Sequence, residues 1–256
     1  MARIKYGLFR ILAILLSVFV LVEVNYPQLT PQAQLALFAL LGLSLVFLKY
    51  PVKHVVGKDS LLHALDYVLV ATTLLCFGYI ATQTDSIFQS VWLKDLSLGN
   101  RAGLEGSLDH AVGLLGVLLV LEATRRAIGW TLPLLALVFL GYASLGASMP
   151  DWLFPHRGYD WERIVSQVFL HSQGVFGIAL KVMFTYVFLF VIFGAFLSAT
   201  GATKFIIDFA QSVFGRSPGG PAKVGVIASG LMGTIQGSSA ANVAATGMFT
   251  IPLMKS

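Results

Sequence analysis

The chain has 256 residues, 57% of them hydrophobic and 11% charged, with a mean hydropathy of +0.81. A soluble domain carries roughly a quarter charged residues, so this composition cannot cover a water-exposed surface. The net charge of +5 does not mark a nucleic-acid binder, because no basic stripe with interleaved aromatics occurs. Cys76 is the single cysteine, which excludes an internal disulfide and a cysteine-based metal site.

The apolar residues fall in long uninterrupted runs, without the two-residue alternation of outer-membrane strands. The fold expected is therefore all-α, a polytopic inner-membrane helical protein in contact with the lipid bilayer. About six transmembrane helices should be joined by one re-entrant helical hairpin. Arg3 and Lys5 precede the first run and Arg10 stands at its start. No small-residue cleavage site follows it, since the chain continues Leu21, Val22, Glu23, Val24, Asn25. The first run thus reads as an uncleaved helix, not a signal peptide.

Six runs are long enough to cross about 30 Å of hydrocarbon: 8–24, 33–50, 61–83, 109–128, 130–148 and 175–199. Pro27 and Pro31, Pro51, a polar stretch at 84–108, Arg125 and Arg126, and the stretch 150–159 separate them. With the N-terminus in the cytoplasm, 12 of the 17 Lys and Arg residues lie inside and 4 outside. The last, Lys181, falls near the outer end of the sixth run. This asymmetry favours a cytoplasmic N-terminus in a bacterial or archaeal inner membrane. The outer loop at 150–174 carries Trp152, Phe154, Tyr159 and Trp161, and reads as an interfacial segment or a plain amphipathic connector.

Residues 202–214 place Phe205, Ile206, Phe209 and Val213 on one face and Lys204, Asp208, Gln211 and Ser212 elsewhere. That pattern predicts an amphipathic helix lying in the cytoplasmic membrane surface. The Arg216-Ser-Pro-Gly-Gly-Pro221 stretch then turns the chain. Pro221 stands where a phosphate loop needs its lysine, so no ATP-driven mechanism is visible.

Residues 222–254 are apolar and too short for two full spans, which need about 40 residues. Their middle, Gly233-Thr-Ile-Gln-Gly-Ser-Ser-Ala-Ala-Asn242, is polar and small. Backbone that leaves the helix at membrane depth must be buried in protein or line a wet cavity. A re-entrant hairpin with its tip at 236–242 satisfies both points. Lys223 and Lys255 put both of its ends on the cytoplasmic side. Thr234, Gly237, Ser238, Ser239 and Asn242 are the candidate ion- and substrate-binding residues. Unwound carbonyls and side-chain oxygens there suit a small hard cation, with Ser238 and Asn242 as possible sodium ligands. The competing reading is helix packing, because Gly233 and Gly237 form a GxxxG pair.

Other polar residues fit structural roles. Glu23, Asp66 and Glu122 lie within about two turns of a span end, where snorkelling, and for Glu122 pairing with Arg125 or Arg126 at i+3 or i+4, account for them. The five histidines show no metal-ligand spacing on one helix. Ser238 and Ser239 as nucleophiles would need a base at the same depth, and no histidine lies mid-span. The chain does not read as an enzyme.

Three segments carry a family resemblance: Gly215-Arg-Ser-Pro-Gly-Gly-Pro-Ala-Lys223, Gly233 to Asn242, and Gly247-Met-Phe-Thr-Ile-Pro-Leu-Met-Lys255. Together they resemble the large membrane subunit of tripartite ATP-independent periplasmic (TRAP) transporters. Leu121-Glu-Ala-Thr-Arg-Arg-Ala-Ile-Gly129 and His156-Arg-Gly-Tyr159 resemble the variety in which small and large membrane subunits are fused. The resemblance implies a permease for cation-driven, usually sodium-driven, import of a small organic anion. A periplasmic binding protein of the TAXI type would deliver that anion. No cofactor is implied beyond sodium as coupling ion. Residues 1–128 would be a small-subunit-like four-helix domain and 129–174 a connecting helix with the outer interfacial segment. Residues 175–256 would begin the large-subunit transport domain, truncated after its first hairpin, so that the chain alone should not transport. Gln236 departs from the family pattern, which usually has a small residue there. The alternative is a membrane scaffold or docking subunit without its own transport site.

Overall fold

The computed structural model describes residues 2–52, 60–234, 239, 242–243, 246–247 and 251. Every regular element among them is helical, as the apolar runs predict. The chain divides into two compact units, Met1–Lys181 and Val182–Ser256.

The first unit holds α1 (Ala2–Asn25), α2 (Pro31–Lys49), α3 (Ser60–Thr84), α4 (Ser107–Ile128), α5 (Thr131–Leu145) and the short α6 (Trp161–Val165). Helix α2 packs on α1 and most extensively on α3, and α4 packs on α3 and α5. Apolar runs alone do not end these helices cleanly; polar side chains do. Glu23, 5% exposed, accepts from the amides of Gln28 and Leu29 at 2.8 and 2.7 Å and from the Gln34 side chain at 3.1 Å. One carboxylate oxygen thus closes the turn between α1 and α2. Asp85 accepts from the Thr30 amide at 2.7 Å and ties the end of α3 to that same turn.

Among the described residues, five helices are long and apolar enough to cross a membrane: Tyr6–Asn25, Pro31–Lys49, Leu65–Thr84, Thr131–Ser148 and Ile178–Leu197. The expected span at 109–128 is present as the 22-residue α4 but does not join that set. It carries Asp109 near its start and Glu122, Arg125 and Arg126 near its end, and each of these charges is paired.

The outer loop departs most from expectation. Residues 161–170 are not a surface connector but α6 followed by a π-helical turn at Ser166–Leu170, packed against α4. Val165, Phe169 and Leu170 are buried there. Phe77 of α3, Phe169 and Phe176 form an aromatic cluster with centroid separations of 5.1 to 5.8 Å in edge-on and tilted arrangements. The space comes from glycine. A Cβ on Gly116 would fall 2.0 Å from the Phe169 ring, and one on Gly113 would fall 2.5 Å from Val165.

The second unit contains Phe188–Ala199 (α8), preceded by a π-helical turn at Met183–Val187, then α9 (Ala202–Phe214) and α10 (Gly220–Gly233). The expected span at 175–199 starts as helix only at Ile178, with α7 (Ile178–Val182). Helix α9 matches the predicted amphipathic segment and divides its apolar surface into two adjacent stripes. Ile206, Ile207 and Ala210 are buried with Val224, Ala228 and Met232 of α10. Phe205, Phe209 and Val213 stay exposed, with the two phenylalanine rings stacked at 6.3 Å. Ile206 therefore belongs to the packed stripe, although the helical spacing grouped it with the exposed one.

Candidate functional site

The candidate binding residues follow α10. Thr234 ends that helix, exposed, and its Oγ1 donates to the Leu231 carbonyl at 2.7 Å. Ser239 is exposed. Gly237 and Ser238, and with them most of the expected tip and descending arm, lie outside the described residues.

Asn242 is the candidate whose geometry is most informative. Its Nδ2 donates to the Ser229 carbonyl at 3.0 Å and lies 3.4 Å from Ser229 Oγ, which returns the chain onto α10. Gly233 faces that amide: a Cβ there would come within 3.5 Å of Nδ2. The Asn242 carbonyl accepts from Thr246 Oγ1 at 2.8 Å, a helical i to i+4 contact. The side-chain Oδ1 is shielded from solvent and has no hydrogen-bond partner among the described residues. A buried amide oxygen without a donor costs free energy of about 1–3 kcal/mol, and a donor or a hard cation relieves it. Ser229 was not singled out in the sequence; as a serine inside an apolar helix it carried only a weak signal.

The first unit holds three polar groupings, of which the sequence assembled only the pairing of Glu122 with Arg125 or Arg126. Arg126 of α4 donates from Nη1 to Asp66 of α3 at 2.6 Å, while Glu122 pairs with both Arg125 and Arg126 at 2.7 Å. Asp66 is therefore paired inside the protein, not snorkelling at its edge. Arg101, 1% exposed, reaches Gln83 at 3.0 Å and Asp109 at 3.5 Å, and the Tyr79 hydroxyl donates to Asp109 at 2.5 Å.

The third grouping surrounds Glu105, in the loop before α4. Ser166 donates to Glu105 Oε1 at 2.5 Å, and His171 Nε2 lies 3.0 Å from the same oxygen. An ionised carboxylate only accepts, so His171 donates from Nε2. Burial pushes the Glu105 carboxyl up, but the Ser166 and His171 donors and the backbone amides of Glu105 and Gly103 outweigh it and hold it at about 2. A polar cavity of about 460 Å³ adjoins these residues, with His110 and Glu162 also in its wall. The Ser166 and His171 side chains share one carboxylate oxygen, and the His171 amide donates to the Ser166 carbonyl at 3.2 Å, which holds the two residues together.

Comparison with known proteins decides the family. Residues 115–256, more than half of the chain, match the family described as tripartite ATP-independent periplasmic transporter, DctM component. The chain belongs to this family. Within the TRAP group, it is 37% identical over 67 residues to the 2,3-diketo-L-gulonate TRAP transporter large permease protein of Escherichia coli (strain K12). It is 40% identical over 65 residues to the C4-dicarboxylate TRAP transporter large permease protein of Rhodobacter capsulatus. Those alignments cover 26% and 25% of this chain and only 16% and 15% of the two relatives' lengths. Both relatives are transporter permeases, not enzymes, and membership in the TRAP permease family agrees with a multi-pass membrane protein. No solved structure matches the chain.

Proposed function

We propose that this chain is the membrane permease component of a cation-driven secondary importer in the inner membrane, with its N-terminus in the cytoplasm and no catalytic activity. Sodium is the coupling ion, and the cargo is a small organic anion handed over by a periplasmic solute-binding protein of the TAXI type. The small and large membrane subunits are fused, with 1–128 widening the scaffold and 175–256 opening the transport domain. Membership in the TRAP permease family supports the transport class, and the relatives' names, which include a C4-dicarboxylate and a sugar acid, support the cargo class. The Lys and Arg asymmetry supports the orientation.

The observation that carries the reading is Asn242. Its amide nitrogen is committed to Ser229, which fixes the side chain and leaves a buried oxygen with no donor among the described residues. An oxygen held in that state, beside Thr234, Gly237, Ser238 and Ser239 in sequence, suits a dehydrated monovalent cation better than water or lipid. This supports sodium as the bound ion, with Ser238 the proposed companion ligand.

The test is substrate uptake in membrane vesicles from cells expressing the native gene with its binding protein. Asn242→Ala should abolish or strongly weaken the sodium dependence of uptake, while Gly233→Ala, whose Cβ meets Asn242 only at ordinary contact distance, should retain it. Uptake by Asn242→Ala with an unchanged sodium dependence overturns the assignment.

A further inference from the structure

The motif His156-Arg157-Gly158-Tyr159 is folded back onto the end of α5 by a dense set of contacts. The Tyr159 amide donates to the Ala143 carbonyl at 3.0 Å, and the His156 amide donates to the Gly146 carbonyl at 3.1 Å. The Tyr142 hydroxyl donates to the Phe154 carbonyl at 2.8 Å, and the His156 ring lies 3.2 Å from the Tyr142 carbonyl. The ring fits because residue 146 is glycine; a Cβ there would sit 2.1 Å from it. Gly158 holds φ of +71°, a left-handed conformation that turns the chain between His156 and Tyr159. So much local structure in an exposed loop fixes something in position, and what it fixes is Tyr159 with two guanidiniums near its ring. Arg157 and Arg163 lie 5.9 and 5.4 Å from the Tyr159 ring centroid.

Tyr159 and Arg163 of this cluster line a cavity of about 740 Å³ between α4, α5 and α6. Val117 and Leu121 of α4 and Phe139 and Leu140 of α5 form its apolar body. The polar groups in its wall, Tyr159, Arg163 and Gln167, all come from the single stretch 159–167. A site with an apolar body and one basic end selects an amphipathic ligand with one anionic end. Neither Arg157 nor Arg163 is paired with a carboxylate among the described residues. A second apolar helix laid into the cavity would leave Arg163 facing hydrocarbon without a counter-charge.

We propose that this groove is a binding site for an anionic glycerophospholipid. An acyl chain lies between α4 and α5, and the headgroup phosphodiester rests on the Arg157 and Arg163 guanidiniums beside the Tyr159 hydroxyl. The ends of α1 and α3 and the start of α4 lie at the same end of the bundle, tied together by the Thr30–Asp85 contact and by the Gln32 side chain donating to the Leu170 carbonyl at 2.7 Å. The lipid therefore belongs to the leaflet on that side. Planar guanidiniums match phosphate geometry, and an aromatic with a polar tip marks the headgroup level.

The test is native mass spectrometry of the chain purified from membranes in mild detergent, paired with thermal unfolding on adding phosphatidylglycerol or phosphatidylcholine. The wild-type chain should retain anionic phospholipid and be stabilised by phosphatidylglycerol more than by phosphatidylcholine. Arg157→Gln/Arg163→Gln should lower retention at least tenfold, each basic side chain near an anionic headgroup being worth roughly a factor of five. Ala143→Trp, which fills the groove and keeps both arginines, should also lose the lipid. The arginine side chains are exposed, so the double variant should fold even where the tryptophan variant does not. Equal lipid retention by wild type and the arginine variant overturns the proposal. So does a wild-type chain that retains no lipid. An arginine variant that keeps its lipid but loses capture of a periplasmic protein assigns the cluster to protein docking instead.

Discussion

Arg126 of α4 and Asp66 of α3 meet at 2.6 Å with both side chains 4% exposed, which joins two helices by a charge pair sealed from solvent. The two ends of the pair are not equivalent. Arg126 keeps a second partner, Glu122 at 2.7 Å, and stacks near the Phe47 ring at 5.3 Å. Asp66 has little else: its Oδ1 is 3.4 Å from the Val52 amide, and its Oδ2 has no partner among the described residues.

Removing the arginine should therefore cost more than removing the acid. Breaking a buried pair from one side typically costs about 3–5 kcal/mol because an uncompensated charge remains. Arg126→Met should lie near that range, and Asp66→Asn clearly below it. Combining Arg126→Met with Asp66→Leu should recover much of the loss. Unfolding in mixed micelles of rising SDS content measures the series. Equal midpoints for the two single variants would show that Asp66 is better compensated than its geometry indicates.

Glu105 sets a pH dependence of defined sign. Its carboxyl is held at about 2, below the ordinary 4.5, by donors from Ser166 and His171 acting against burial. A group whose folded value is depressed contributes stability that is fully present above its unfolded value and is lost as pH falls toward the folded one. The thermal midpoint of the wild-type chain should thus decline between pH 4.5 and pH 2, and Glu105→Gln should flatten that decline while lowering the midpoint at neutral pH. An acid limb unchanged in Glu105→Gln would remove the carboxylate from the account.

The long runs that became α1, α2 and α3 were legible in the sequence because each is a nearly unbroken stretch of apolar residues ended by Pro or polar residues. The amphipathic segment was legible too, since Phe205, Phe209 and Val213 recur at helical spacing. What escaped were contacts between distant residues. Nothing local says that Arg101, in a polar stretch, is buried against Gln83 and Asp109, or that Ser166 and His171 converge on Glu105. The segment 161–170 hid its role because its core contacts depend on glycines fifty residues upstream, and glycine in a membrane helix has many uses. At the candidate ion site the composition around Asn242 was readable, while its return to Ser229 depends on a turn whose shape no pattern specifies.

Gly116 and Gly141 offer a matched comparison within neighbouring helices. A Cβ at Gly116 would meet the buried Phe169 ring at 2.0 Å, whereas one at Gly141 would meet nothing within 4 Å. Gly116→Ala should cost about 1–3 kcal/mol by overpacking. Gly141→Ala should be neutral or stabilise by roughly 0.5–1 kcal/mol, since alanine loses less backbone freedom in a helix. Shortening the ring with Phe169→Leu should relieve part of the Gly116→Ala cost, giving a non-additive double variant. Additive losses would mean that α4 and the 166–170 turn separate instead of repacking.

Helix α9 makes the last prediction, because its two apolar stripes have different destinations. Ile206, Ile207 and Ala210 are consumed by α10, so their burial needs no membrane. Phe205, Phe209 and Val213 are exposed beside them, and three large apolar side chains in a row on a 13-residue helix are costly in water. Lys204, Asp208 and Gln211 are exposed as well, and the helical turn carries them away from that stripe. Cys76 is the only native thiol and is buried, so a Cys76→Ala background allows single spin labels along the helix. Labels at 209 and 213 in reconstituted bilayers should be relaxed strongly by oxygen and weakly by a water-soluble nickel chelate. Labels at 208 and 211 should show the reverse. A periodic swap every three to four residues places the helix flat at the interface. Strong protection of 209 and 213 from both reagents would instead mean that protein covers the stripe, and the helix would then be a packing element rather than a membrane-surface arm.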